Sequence, residues 1–98
     1  MNSFYLVGKV FEVGQKTQTN SGTSMCRLKI SVEKNNREQD TTNEIFEIVL
    51  FRSLADKEYE VGDSIAVNGK LQANNYEKDG NYYYNSNLIA NSVCLMNW

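Results

Sequence analysis

From Met25 to Val32 the chain changes character at every residue. Cys26, Leu28, Ile30 and Val32 are apolar, whereas Arg27, Lys29 and Ser31 between them are polar. A period of two belongs to a β-strand, whose successive side chains point to opposite faces; a helix would scatter the same residues around its axis. One face of this strand must meet a core, and the other presents two cations outward.

Other stretches supply partners for it. Phe4 to Phe11 is rich in aromatic and β-branched residues and reads as strand one. Met25 to Val32 is then strand two. Glu44 to Arg52 is strand three, with Phe46, Ile48 and Leu50 on one face and Ile45, Glu47, Val49 and Phe51 on the other. Strand four runs from Ser64 to Asn74, with Ile65, Val67, Gly69 and Leu71 inward, and strand five from about Tyr82 to Met96. Asn20-Ser21-Gly22 marks a turn, Glu33 to Asn43 is a wholly polar loop, and Lys78-Asp79-Gly80-Asn81 has the chemistry of a hairpin tip. Ser53 to Glu60 reads as one short helical turn. The predicted class is all-β: a five-stranded Greek-key OB-fold barrel with a short helical turn between strands three and four. Residues 1–98 read as one such domain, without proline, linker or internal repeat.

The same residues narrow the chemistry. There is no histidine, which removes the commonest acid-base catalyst. Two cysteines without histidine do not make a usual zinc site, so Cys26 and Cys94 read as small buried hydrophobes. No phosphate-cradling glycine loop is present. An enzyme is not expected, nor any cofactor; Asp40 and Glu44 are a carboxylate pair without a supporting ligand pattern. No apolar run approaches the roughly 20 residues that span a membrane, and the start lacks a signal-peptide pattern, so the expected location is cytoplasmic.

The net charge of −2 is unevenly spread. Residues 1–37 hold Lys9, Lys16, Arg27, Lys29, Lys34 and Arg37 against Glu12 and Glu33, a net +4. The remainder carries −6, with Asp56, Glu58, Glu60 and Asp63 in one connector. An acidic connector can coexist with a basic groove that faces another way.

Several stretches together resemble the DNA-binding domain of bacterial single-stranded DNA-binding proteins. They are Leu6-Val7-Gly8-Lys9-Val10, Ser21-Gly22-Thr23, Ile48-Val49-Leu50-Phe51-Arg52, Leu54-Ala55, Val67-Asn68-Gly69-Lys70-Leu71-Gln72, Tyr76-Glu77-Lys78-Asp79-Gly80 and Tyr84. The resemblance as a whole covers residues 2 to about 96, in the family's order. The resemblance implies sequence-independent binding of single-stranded DNA in replication, recombination or repair. Such binding needs a cationic groove for phosphates and flat rings on which bases stack. Arg27, Lys29, Arg52 and Lys70 are the phosphate candidates on strands, with Lys9, Lys34, Arg37 and Lys78 as helpers. Phe51 and Tyr76 stand where the family has aromatic residues, and the Tyr82-Tyr83-Tyr84 run must divide between two faces. Asn36, Ile45 and Glu47 depart from the family's usual aromatic or basic residues. The resemblance implies an acidic tail that the sequence to Trp98 does not include, and the expectation is a phage or mobile-element relative.

Phe4, Tyr5, Leu6 and Val7 are apolar on both faces of strand one, and this predicts a homo-oligomer, a dimer or tetramer. The alternative function is an OB-fold interaction module, similar to primosomal PriB-type proteins, that contacts replication proteins and binds nucleic acid weakly.

Overall fold

The structure is a computed structural model that describes residues 1–34 and 43–96. Arg37, Asn36, Asp40 and Trp98 lie outside the described residues, as does most of the polar loop between strands two and three. The elements in chain order are β1 (Phe4–Val13), β2 (Thr17–Gln18), β3 (Ser24–Glu33), β4 (Asn43–Phe51), α1 (Ser53–Asp56), β5 (Ser64–Lys78) and β6 (Asn81–Leu95). The sheet order is β1-β5-β6-β4-β3-β2, and an added β1–β3 pairing closes it into an OB barrel. The five expected strands are present, with the helical turn in its expected place. β2 is new: Thr17 pairs with Met25 and Gln18 with Ser24, in a stretch with no apolar pattern to announce it.

Closure depends on β1 serving two partners. Phe4 to Lys9 pair with β5, and Lys9 to Val13 pair with β3. The register shifts between Val10 and Glu12, where Phe11 is the extra residue. A bulge of this kind bends a strand and increases its twist, which a small barrel requires. The inward sets then meet. Cys26, Leu28, Ile30, Ile48, Leu50, Ile65 and Val67 are fully buried, with Val10 and Ala55 close behind. Tyr59, from the acidic connector, also enters this core, and its hydroxyl donates to the Leu54 carbonyl at 2.8 Å. Burial pushes its phenol pKa up. Cys26 is buried as expected, and burial likewise raises its thiol pKa; Cys94 is exposed, because its position on β6 does not face the core.

Leu71, whose alternation with Ile65 and Val67 predicts an inward side chain, is instead 39 % exposed. β5 simply outruns the barrel. Its pairing with β1 ends at Gly69, and the Leu71 N–H donates instead to the Asn2 side chain at 2.8 Å. From Leu71 to Ser86 every residue is exposed, so β5 and β6 continue as a two-stranded arm. An isolated hairpin is marginal in water. Two local features support this one. Asp79 and Gly80 have φ of 55° and 80°, the left-handed pair that suits a two-residue hairpin turn. Tyr76 and Tyr83 stack across the strands, with ring centroids 5.0 Å apart.

Candidate nucleic-acid interface

Outward residues of β4, β5 and β6 meet beside α1 around an open groove of about 650 Å³. Phe51 ends β4 on the outward register and is half-buried in its wall. Arg52 follows it, and Lys70, Gln72, Ile89 and Asn91 come from the other side. Thr19, Ser21 and Thr23 close the end next to β2. No carboxylate lines this groove among the described residues.

The register carries the groove's surface onto the arm. Lys70 faces Ile89, Gln72 faces Asn87, Asn74 faces Asn85, Tyr76 faces Tyr83 and Lys78 faces Asn81. Cross-strand partners share a face, as do alternate residues of one strand, so these ten side chains form one surface. It extends roughly 27 Å from Lys70 to Lys78, at about 3.4 Å per residue. Its charges are the two lysines, and its stacked tyrosine pair lies near the tip. Tyr82 and Tyr84 face the other way, together with Glu77 and Asn75. The sequence had left the tyrosine run undivided. The signal was in the turn: a two-residue loop at Asp79-Gly80 already sets Tyr76 opposite Tyr83.

Arg52 has an unusual backbone, with φ 59° and ψ −129°. Its N–H donates to the Ser24 carbonyl at 2.9 Å, and its own carbonyl accepts from Ala55 and Asp56. Neighbours thus hold a non-glycine residue in a conformation that costs on the order of 1–3 kcal/mol, a device typical of functional positions. Arg52→Gly is expected to be more stable than Arg52→Ala by about 1 kcal/mol, because only glycine relieves the strain. Both should lose affinity for a polyanion. Denaturant titration of the two variants checks the first point, and equal stabilities would contradict it.

The other candidates are placed differently. Arg27 and Lys29 lie outward on β3 as expected, but each meets a carboxylate. Arg27 bonds Glu47 and Lys29 bonds Glu12, both at 2.9 Å. The Glu12 hydrogen bond, reinforced by its charge, holds the Lys29 ammonium above its ordinary pKa. Lys9 lines a separate hollow of about 380 Å³ with Glu33 and Asn43. Lys34 lies exposed just past the end of β3. The acidic connector is partly answered by Lys16, which bonds Glu58 at 2.8 Å and lowers that carboxyl's pKa. Among the described residues, no group of three or more His, Cys, Asp or Glu is arranged to hold a metal. No helix among them is long and apolar enough to cross a membrane.

The family comparison agrees with this architecture along nearly the whole chain. The model of the single-strand binding protein family matches residues 1–96. The chain belongs to that family. Its fold is also similar to the dimeric N-terminal domain of PriB protein from Thermoanaerobacter tencongensis. The TM-score is 0.71, over 99% of this chain and 98% of that one, at 18% sequence identity. At that identity the likeness concerns the fold. No curated protein matches the sequence.

Proposed function

We propose that this protein binds single-stranded DNA without sequence preference, along a track that starts in the Phe51–Arg52–Lys70 groove and follows the arm to Tyr76, Tyr83 and Lys78. The observation that carries this reading is one continuous face, free of carboxylates among the described residues, that combines cations with exposed rings. Those are the two requirements of sequence-tolerant single-strand binding: phosphates meet Arg52, Lys70 and Lys78, and bases stack on Phe51 and the tyrosine pair. Membership of the single-strand binding protein family supports the same reading.

Assembly into a homo-oligomer belongs to the proposal. On β1, Tyr5 is 66 % exposed, Val7 46 % and Phe11 55 %, a row of large apolar side chains that a second copy would cover. The similar PriB domain is dimeric. An oligomer would present several tracks to one DNA strand and raise avidity. The alternative, a replication interaction module, draws on the low charge of the arm's second face, where Tyr82 and Tyr84 are 66 % and 76 % exposed.

The salt dependence of oligo-dT binding tests the track. Three phosphate-facing cations per domain, at about −0.7 each, give a log–log slope near −2 per domain. The double variant Arg52→Gln, Lys70→Gln should flatten it to roughly −0.7. A parent slope near zero, or a slope unmoved by the double variant, would remove the cationic-track reading.

A further inference from the structure

We infer that Glu12 and Glu47 are specificity-determining residues that steer the DNA onto the arm and keep it off β3. The inference rests on the single-strand-binding reading above and concerns its route. A strand leaving Phe51 has two ways to go. Along β5 and β6 lie Lys70, Tyr76 and Lys78. Across the barrel, the register Lys70–Ile89–Val49–Arg27 runs over four adjacent strands and brings the outward face of β3 alongside the groove. By charge spacing alone β3 is the better route, because Arg27 and Lys29 are two residues apart on one face, about 7 Å.

The carboxylates reverse that preference. Glu12, Lys29 and Glu47 stand abreast on β1, β3 and β4. Glu12 holds Lys29, and Glu47 holds Arg27. Two cations and two anions cancel within this patch. A phosphate arriving there would have to displace both carboxylates and then lie beside them. No such penalty applies on the arm face, where the charged residues are lysines. A neutralised patch beside a positive face leaves the positive face as the favoured route for phosphates.

The test compares paired substitutions in the full chain, read as the salt slope of oligo-dT binding. Glu12→Gln with Glu47→Gln keeps both side-chain shapes and frees Arg27 and Lys29. The expected result is a slope steeper by about 1.4, as two phosphates join the contact, with a longer DNA footprint. Asp56→Asn with Glu60→Gln removes the same charge from the connector and should leave slope and footprint near the parent's. Arg27→Gln with Lys29→Gln in the parent should not flatten the slope, whereas Arg52→Gln with Lys70→Gln does. The inference is overturned if the Glu12/Glu47 variant changes no more than the connector variant, or if the Arg27/Lys29 variant flattens the parent slope. Those outcomes leave the function intact. Failure of the parent to bind oligo-dT at any salt would instead overturn the function and the route together.

Discussion

Replacing Phe51 or Tyr76 with alanine is expected to weaken oligo-dT binding by roughly five- to a hundredfold each. Base stacking on an aromatic ring is worth about 1–3 kcal/mol by alanine substitution, and about 1.4 kcal/mol is a factor of ten. The loss should persist at high salt, because stacking is not screened as ion pairs are. The two positions separate folding from binding. Tyr76 is on the exposed arm, beyond Gly69 where the pairing of β5 with β1 ends, so its alanine variant should keep the barrel's unfolding midpoint while losing the stack on Tyr83. Phe51 is half-buried in the groove wall, and Phe51→Ala also removes packing. Phe51→Leu restores much of that packing without a flat ring and should remain weak in binding; Phe51→Trp should bind. Folded Phe51→Leu and Tyr76→Ala variants that bind like the parent would show that neither ring contacts bases.

The largest stability effect is expected at Gly69. β5 and β6 shift register between Asn68 and Gly69, and there the two backbones come very close. A Cβ on Gly69 would run into the Ile89 carbonyl, with the Ala90 Cα also crowded. A carbonyl inside a sheet ladder cannot swing aside as the end of a long side chain can. Gly69→Ala should therefore cost at least the upper part of the usual overpacking range, about 3 kcal/mol. That is a large fraction of the roughly 5–15 kcal/mol that holds a typical domain together. Gly80→Ala is the comparison. It meets open space, so its cost is that of a left-handed alanine, about 1–2 kcal/mol. It should loosen the arm while leaving the barrel's unfolding midpoint little changed. A Gly69→Ala protein as stable as the parent would contradict the close approach.

How far these sites could be read beforehand depends on the kind of information each needed. The period of two made β3 visible, and the Asp79-Gly80 turn made the hairpin visible, because both are local patterns. Phe51 was placed outward by parity within one strand, and the groove confirms that register. Leu71 was misplaced because nothing in β5 itself says where its β1 partner stops. The pairing of Arg27 with Glu47 and of Lys29 with Glu12 was hidden for a similar reason. It requires the mutual register of β1, β3 and β4, and that register is set by a bulge at Phe11 and by loops rather than by any strand's own sequence. Tyr59 looked like part of a polar connector, yet the tight α1 turn folds it back into the core. The groove's Thr19, Ser21, Thr23 and Asn91 carry no charge or ring that would single them out.

The most direct measurement is a competition titration of the full chain with labelled oligo-dT against duplex DNA of the same length, at low and moderate salt. A track of stacked rings and a few cations reads exposed bases, which a duplex hides within its own stack. The account predicts tight binding to oligo-dT, weakened but not abolished at moderate salt, and little displacement by the duplex. Equal affinity for the two DNAs, with a strong loss of both in salt, would contradict it and show a general polyanion surface in place of a single-strand track.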